Sequence, residues 1–356
     1  MYRALYRQVI KGTVLQNRNQ LFDFAVEQHA TDIHICAGAP VQFRIGGKLK
    51  PVTEDVLSPE KSRQLCFEML TPEQIEVFES NLDFDLMLAY DGSRFRINVG
   101  YFNGAVGATV RVLSGEPKTP NELFLPETVK TLAQKEKGLV LITGSTSQGK
   151  TTTMSAMIDH INSTQKKHIV TIEDPIEYVH TNKKGIVRQR EVGRDTKTFA
   201  TGLRAALRQD PDVIAIGEMR DYETIKIALT AAETGIMVLS TLHVISIDKM
   251  IERILSYAPD EGENTIRFLL AETLQGVIHQ ELLPLVTGGQ RVACEIMTST
   301  TGAKNILRRR GGYHLRTVID TGKKYGMCTM AESIEKLLAN NLISSETAKR
   351  VLVNYS

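Results

Sequence analysis

The stretch GSTSQGKTTT, residues 144–153, constrains the fold of this chain more than any other segment. Gly144, four further residues, Gly149, Lys150 and Thr151 follow one another with the spacing of a phosphate-binding loop. Glycines let backbone N–H groups curl around phosphate oxygens, the lysine reaches the β and γ phosphates, and the next hydroxyl binds Mg²⁺. The residues that we expect to contact a bound nucleotide are Gly144, Ser145, Thr146, Ser147, Gln148, Gly149, Lys150, Thr151 and Thr152.

The segments on either side of this loop indicate how it is held. Residues 139–142 form a short apolar run that predicts a buried strand leading into the loop. Residues 152–161 predict the helix whose N-terminus faces the bound anion. A phosphate loop between a buried strand and a helix is typical of an α/β protein with a mostly parallel sheet.

Length and composition restrict the class of protein. With 356 residues the chain is long for a single domain, and we expect two. Hydrophobic residues make up 42% of the chain and charged residues 24%, which is typical of a globular protein with a sizeable core. Because 43 Lys and Arg residues are balanced by 41 Asp and Glu residues, stable nucleic-acid binding is not expected.

Cysteine usage and hydropathy bear on the compartment. The four cysteines form no C-x-x-C pair, so neither a disulfide framework nor a zinc site is indicated. No apolar run is long enough to span a membrane, and the first residues lack the apolar core of a signal peptide. We therefore expect a cytoplasmic protein that contacts the membrane only peripherally. The basic run at residues 308–310 is a candidate contact for a partner or an anionic surface, although such runs usually face solvent.

The two parts of the chain differ in their sequence pattern. Residues 1–113 predict a small α+β domain with an early helix, NQLFDFAVEQHATD, and two strand pairs that turn at Gly46-Gly47 and Asn103-Gly104. Residues 114–122 contain two prolines and a glycine and predict a linker. Residues 123–356 alternate strands with helices and end in a helical tail that includes MAESIEKLLANN.

Four apolar runs of this second part end in polar residues: GLVLITG, HIVTIEDP, DVIAIGE and IMVLSTLH. Because the carboxyl ends of parallel strands lie at one edge of a sheet, these polar ends should converge beside the phosphate loop. Glu173 and Glu218 supply carboxylates of the kind that orient an attacking water or hold Mg²⁺ in phosphoryl transfer. His243 is placed to contact a γ-phosphate, although an isolated histidine after an apolar run is more often a core residue.

Together these motifs resemble the family of secretion-type hexameric ATPases, and within it the branch that retracts type IV pili. The resemblance covers nearly the whole chain, and long motifs in a fixed order are far more specific than the phosphate loop alone. The motifs that carry it are ATDIHICAGAPVQFRIGGKLKPV, the phosphate loop, the acidic box VTIEDPIEY, the atypical second nucleotide motif TFATGLRAALRQDPDVIAIGEMRD and the histidine box TAAETGIMVLSTLH.

The resemblance implies an architecture, an assembly and an activity. It implies an N-terminal PAS-like domain and a RecA-like ATPase domain with a helical C-terminal tail. It implies a homohexameric ring at the cytoplasmic face of the inner membrane, where an inner-membrane pilus platform protein is its partner. The activity implied is hydrolysis of ATP with Mg²⁺ to drive pilus retraction and twitching motility.

The resemblance also implies roles for single residues. His243 falls in the histidine box and would sense the γ-phosphate. Glu173 in the acidic box and Glu218 in the second motif would activate water and, with Thr151, bind Mg²⁺. Which of the two glutamates activates water stays open at this point.

Arginines of the N-terminal domain complete the nucleotide site in similar proteins. Arg96 and Arg111 fall at the corresponding positions, each in a predicted strand ahead of the linker. A guanidinium that reaches the terminal phosphates would couple the position of the domain to the nucleotide, as an arginine finger does. For Arg94 two interpretations stay open, the same role or a strand arginine that points to water.

Several features favour the retraction branch, and two departures qualify it. The segment before DIHI is short, no cysteine-rich zinc insertion is present, and the tail is similar to that of retraction motors. However, Ser145 and Gln148 replace a proline and a small residue of the usual loop, and GAKNILRRR replaces the usual AIRNLIRE. An accessory pilus motor and a secretion or conjugation ATPase therefore stay open, as do, less directly, a DNA-directed translocase and a nucleotide-binding scaffold.

Overall fold

The computed structural model divides into two compact units, with the division between Glu116 and Pro117. Each unit has its own sheet and its own hydrophobic core. The structure describes residues 17–113, 115–309 and 315–355. The predicted organisation also covers residues outside the described ranges, namely residues 1–16, Ser114, residues 310–314 and Ser356.

The first unit is built on an antiparallel sheet. Its described strands are β1 (Asp32–Ile35), β2 (Gln42–Ile45), β3 (Lys48–Pro51), β4 (Asp83–Tyr90), β5 (Ser93–Phe102) and β6 (Ala105–Leu113). They lie in the order β3-β2-β1-β6-β5-β4. The helices described in this unit are α1 (Arg18–Glu27), α2 (Pro59–Phe67) and α3 (Pro72–Asn81). The predicted helix, now α1, and both predicted strand pairs, β2–β3 and β5–β6, are confirmed.

Turn chemistry and aromatic packing determine this unit. Gly46 and Gly47 both have positive φ angles, as do Asn103 and Gly104, and tight hairpin turns require that conformation. Phe22 of α1 stacks on Phe95 of β5 with ring centroids 3.9 Å apart, and both rings are fully buried. The helix is thereby held to the sheet by its apolar face.

The second unit is built on a mostly parallel sheet. Its described strands are β7 (Gly138–Thr143), β8 (His168–Glu173), β9 (Ile186–Glu191), β10 (Val213–Ile216), β11 (Met237–Leu242), β12 (Leu274–Pro284) and β13 (Gln290–Thr298). They lie in the order β13-β12-β7-β11-β10-β8-β9. Neighbours from β12 to β9 are parallel, whereas the edge strand β13 is antiparallel to β12.

Helices cover this sheet and continue beyond it. Those that precede β12 are α4 (Glu127–Ala133), α5 (Lys150–Thr164), α6 (Phe199–Ala206), α7 (Tyr222–Glu233), α8 (Ile247–Leu255) and α9 (Glu263–Thr273). Those that follow β13 in the described residues are α10 (Thr301–Arg308), α11 (Leu315–Thr321), α12 (Met330–Ala339) and α13 (Ser345–Leu352), and 3₁₀ turns at Lys323–Tyr325 and Val353–Tyr355.

The four predicted strands of this unit are confirmed as β7, β8, β10 and β11. Every residue of β7 and of β11 is buried, which explains their continuous apolar sequences. The other three strands were not predicted because polar residues interrupt their patterns. Examples are Arg188 and Arg190 in β9 and Gln280 and Glu281 in β12.

The predicted helical tail is confirmed in α12 and α13. A capping box between Thr329 and Glu332 begins α12, and Met330 and Ile334 are buried on one stripe of the helix. These side chains join a small hydrophobic cluster, the tail cluster, that also contains residues of β12, β13 and α13. Its buried members are Leu283, Ala293, Met330, Ile334, Ile343, Ala348, Val351 and Tyr355.

The structure also shows the state of the cysteines, the lengths of the helices and the contact of the basic run. Among the described residues all four cysteines are free, and no helix is both long and apolar enough to cross a membrane. Arg308 of the basic run pairs with Glu272 at the end of α9. This guanidinium is therefore engaged within its own unit.

The core of the first unit can be tested with two leucines that differ in burial. Leu65 of α2 is 1% exposed, and Leu49 of β3 is 49% exposed. Leu65→Ala should lower the free energy of unfolding by about 2–5 kcal/mol because it removes buried methyl groups and leaves a cavity. Leu49→Ala should change it by less than about 0.5 kcal/mol. Urea unfolding followed by circular dichroism checks both, and equal effects would contradict the burial described for these positions.

Candidate active site

The phosphate loop connects the buried end of β7 to the start of α5. Its backbone needs several left-handed conformations: φ is 148° at Gly144, 62° at Ser147 and 76° at Gly149. Glycine adopts these angles readily, while Ser147 is the exception that the loop tolerates. Since α5 begins at Lys150, its first unpaired N–H groups face the space inside the loop.

Strand β12 holds this loop from one side. The side-chain amide of Gln280 donates to the carbonyl oxygen of Gln148 at 2.6 Å, and the backbone N–H of Leu282 donates to Oε1 of Gln148 at 2.5 Å. A Cβ atom at Gly144 would lie 2.6 Å from the carbonyl oxygen of Gln280. Residue 144 must therefore be glycine for two reasons, its φ angle and this close approach.

Lys150 lies at the centre of the site and is only 6% exposed. Its ammonium group donates to the carbonyl oxygen of Ser145 at 2.6 Å and lies 3.4 Å from Nδ1 of His243. Burial lowers the pKa of Lys150 to about 8, while the carboxylate of Glu218 raises it. A bound phosphate would restore the favourable environment of the charged amine.

Glu218 and His243 lie together in a cavity of about 500 Å³ beside the loop. Glu218 contacts Nε of Arg220 at 2.5 Å and Nε2 of His243 at 3.8 Å. The His243 side chain is 42% exposed, so it is not the core residue that an isolated histidine usually is. Burial and the neighbouring charge of Lys150 lower its pKa, which favours the neutral imidazole. The residues that line the cavity are Thr146, Glu218, Met219, Arg220, Leu242, His243, Arg253 and Tyr257.

Glu173 lies at the end of β8 and has a different environment. It is buried, and it accepts hydrogen bonds from the Thr171 hydroxyl at 2.6 Å and from the Gln189 amide at 3.0 Å. It is not among the described residues that line the cavity beside Glu218. The two glutamates therefore lie in different environments, although the sequence did not distinguish their roles.

The loop threonines begin the helix. Thr151 and Thr152 are half-buried, and the Thr152 hydroxyl lies 2.9 Å from the hydroxyl of Tyr178. Thr151 is the second residue of α5, directly after Lys150. Its side chain therefore lies in the first turn of the helix, next to the loop.

The donor set near the loop suits Mg²⁺ better than a tightly held metal. In the described residues no group of three His, Cys, Asp or Glu side chains could hold a metal ion. Mg²⁺ commonly takes one or two carboxylates and completes its octahedron with waters and substrate phosphates. A threonine hydroxyl and one glutamate at this edge of the sheet therefore fit that ion.

The arginines of the first unit lie on its sheet. Arg96 of β5 and Arg111 of β6 are opposite each other, and both are exposed. Nε of Arg111 lies 3.3 Å from a carboxylate oxygen of Asp32, whose other oxygen lies 3.4 Å from Nε of Arg44. Arg94 is buried, so the interpretation of it as a water-facing strand arginine is wrong.

Sequence reasoning missed several residues of the site. Arg220 follows Glu218 by two positions, and alternation along an extended backbone could have indicated it. Arg253 and Tyr257 come from α8 and the residues after it, and no local pattern connects them with the loop. The contact between Gln280 and Gln148 was also not predicted, because β12 was not predicted as a strand.

Comparisons with known proteins match nearly the whole chain. Residues 8–351 match the family model described as type II/IV secretion system protein. The chain is 41% identical to the type IV pilus retraction ATPase PilT of Pseudomonas aeruginosa over 93% of this chain and 96% of that protein. It is 35% identical to the type IV pilus ATPase PilU of the same organism over 92% of this chain and 87% of that protein.

A solved structure shares the fold as well as the sequence. A crystal structure of the pilus retraction motor PilT with bound ADP superposes with a TM-score of 0.82 at 41% identity. The match covers 92% of this chain and 95% of that one. Because the family model and these relatives span nearly the whole sequence, the chain belongs to the family of type II/IV secretion system proteins.

Proposed function

We propose that this protein is an ATPase motor that powers type IV pilus retraction and twitching motility. The observation that carries the proposal is the cluster of Lys150, Glu218 and His243 at the mouth of the phosphate loop, in a chain that is 41% identical to a pilus retraction ATPase. A cationic amine that binds the phosphates and a carboxylate that orients the nucleophile are groups that phosphoryl transfer uses.

Each residue has a part in that chemistry. The loop N–H groups and Lys150 bind the phosphates and offset the charge that develops on them. Glu218, at the edge of an open cavity, orients the attacking water and accepts its proton. His243 lies between Lys150 and Glu218, and in its neutral form it can donate a hydrogen bond to the γ-phosphate without adding charge.

The metal and the second glutamate complete the proposed site. Thr151 would hold Mg²⁺, which would neutralise charge on the phosphates when it is bound. Glu173, buried against Thr171 and Gln189, would position waters of the metal rather than activate the nucleophile. Burial among hydrogen-bond donors suits an ion-holding carboxylate that stays in place through turnover.

We also propose the finer architecture that the family resemblance implies. The first unit would be PAS-like (residues 1–113), residues 114–122 the linker, and residues 123–356 a RecA-like ATPase domain with its helical tail. Six copies would form the ring. Arg96 and Arg111, exposed on the sheet of the first unit, would complete the nucleotide site and couple it to domain movement.

The proposed place of action follows from the same relatives. The motor would be cytoplasmic and would bind an inner-membrane pilus platform protein, with only peripheral contact to the membrane. Stable nucleic-acid binding is not part of the proposal, since the formal net charge is only +2. An accessory pilus motor is the second candidate, because the chain is also 35% identical to PilU.

Replacement of the two glutamates tests their roles. Glu218→Gln should lower kcat by a factor of about 10²–10⁴, because the amide cannot accept a proton from water, while ATP affinity stays close to wild type. Glu173→Gln should keep more activity than Glu218→Gln and should raise the Mg²⁺ concentration needed for half-maximal turnover. Steady-state ATPase assays with a magnesium titration measure both. The exposed Glu233→Gln serves as control, and near-normal turnover of Glu218→Gln would refute the assignment.

The pKa of Lys150 predicts how nucleotide affinity depends on pH. With a pKa of about 8, the charged fraction of Lys150 falls from roughly three quarters at pH 7.5 to roughly a tenth at pH 9.0. Bound phosphate favours the charged amine, so ATP should bind roughly eightfold more weakly at pH 9.0, with uptake of a proton. Isothermal titration in two buffers of different ionisation enthalpy measures affinity and proton uptake. Lys150→Arg, charged throughout this range, should show neither change between the two pH values.

A cellular experiment tests the direction of the motor. Cells that lack the gene should carry excess surface pili and should not move on surfaces, because pili assemble but are not retracted. Wild-type protein should restore motility, whereas Lys150→Ala should not. Pilus counts by electron microscopy and colony spreading measure both. Absent pili would indicate an assembly motor, unchanged pili a secretion motor, and loss of retraction only under load an accessory motor.

A further inference from the structure

A buried histidine lies directly beneath the phosphate loop. His279 of β12 is 1% exposed and is the register partner of Thr143, the last residue of β7. Nδ1 of His279 lies 3.0 Å from the Thr143 hydroxyl, and its Nε2 lies 2.9 Å from the hydroxyl of Tyr355. Thr143 precedes Gly144, so this contact is at the point where the strand becomes the loop.

The direction of every hydrogen bond in this group follows from its last member. The Tyr355 hydroxyl donates to a carboxylate oxygen of Glu281 at 2.6 Å, because an ionised carboxylate can only accept. The phenol oxygen then accepts from Nε2–H of His279. Nδ1 is left without a proton, so it accepts from the Thr143 hydroxyl. The four groups form one directed chain from the loop base to Glu281.

The protonation states agree with this direction. Burial and the charge of Lys150 lower the pKa of His279 to about 4, so the ring is neutral at physiological pH. Burial and the bond to Glu281 raise the pKa of the Tyr355 phenol, so it keeps its proton. This neutral imidazole, with one donor and one acceptor nitrogen, satisfies both neighbours.

Tyr355 belongs to the tail cluster defined above. It lies in the 3₁₀ turn Val353–Tyr355 after α13, and its ring is buried with Met330 and Ile334 of α12 and with Leu283 of β12. The packing of the two tail helices thus places the phenol next to the base of the loop. A displacement of these helices would withdraw it from His279.

We propose that Tyr355 and His279 are positioning residues of the nucleotide site, through which the tail cluster holds the strand end that sets the phosphate loop. Both side chains are buried, so the role proposed for them is to hold the loop and not to contact the nucleotide. The loop has few other side-chain attachments to β12 in the described residues, namely the two contacts of Gln148. When this series of hydrogen bonds is intact, the loop is held for phosphate binding. When Tyr355 is withdrawn, Thr143 and the loop become more mobile. This inference rests on the proposed nucleotide-binding function.

Tyr355→Phe tests the proposal because it keeps the buried ring and removes only the hydroxyl. It should raise the Kd for a fluorescent ADP analogue and the KM for ATP about fivefold, as expected when one hydrogen bond that holds His279 is lost, with kcat within about twofold. Tyr325→Phe, at an exposed tyrosine of the same unit, should change none of these. Thermal unfolding of each variant separates a loss of affinity from a loss of fold.

A double-mutant cycle separates positioning from local packing. Thr143→Val removes the hydroxyl at the other end of the histidine and should raise Kd by a similar factor. Since Thr143 and Tyr355 act through one imidazole, the double variant should bind scarcely more weakly than either single variant. Additive effects, or an unchanged Kd in Tyr355→Phe, would overturn the proposal. Failure of the wild type to hydrolyse ATP would instead refute the proposed function, because the Kd measurement does not depend on turnover.

Discussion

The parallel pairing of β12 with β7 is the interaction on which the rest of the site depends. Strand β7 ends at Thr143, while β12 continues for five residues beyond its partner His279, to Pro284. This overhang offers a backbone surface to the phosphate loop, which would otherwise leave the sheet without support. Because the backbone of Gln280 comes so close, only glycine fits at residue 144.

The second constraint is electrostatic. A lysine ammonium is costly to bury, and Lys150 is held among a carbonyl oxygen, an imidazole and a nearby carboxylate rather than in a tight ion pair. A bound phosphate would stabilise the charge of this buried amine more strongly than the surrounding protein groups do. The site is therefore prepared for an anionic ligand, and its affinity for nucleotide comes partly from the desolvation already present in the fold.

Gln148 shows how a departure from the family pattern is accommodated. Its Oε1 accepts a hydrogen bond from the backbone N–H of Leu282, in the part of β12 that extends beyond β7. A small residue at this position is too short to reach that N–H group. The substitution therefore adds an attachment between loop and strand instead of disturbing the glycines that shape the loop. Together with the Thr143–His279 contact, it fastens the loop to β12 near both of its ends.

The sequence by itself determined the phosphate loop, the four buried strands and the edge of the sheet at which Glu173, Glu218 and His243 lie. These features are local, since they depend on glycine spacing, continuous apolar runs and the rule that parallel strands end at one edge. Only the tertiary structure decided that Glu218 shares a cavity with His243 while Glu173 is buried against Thr171, and that β12 supports the loop. Those relations join residues up to 136 positions apart, as between Thr143 and His279, and no period or spacing in a single chain records such distant contacts.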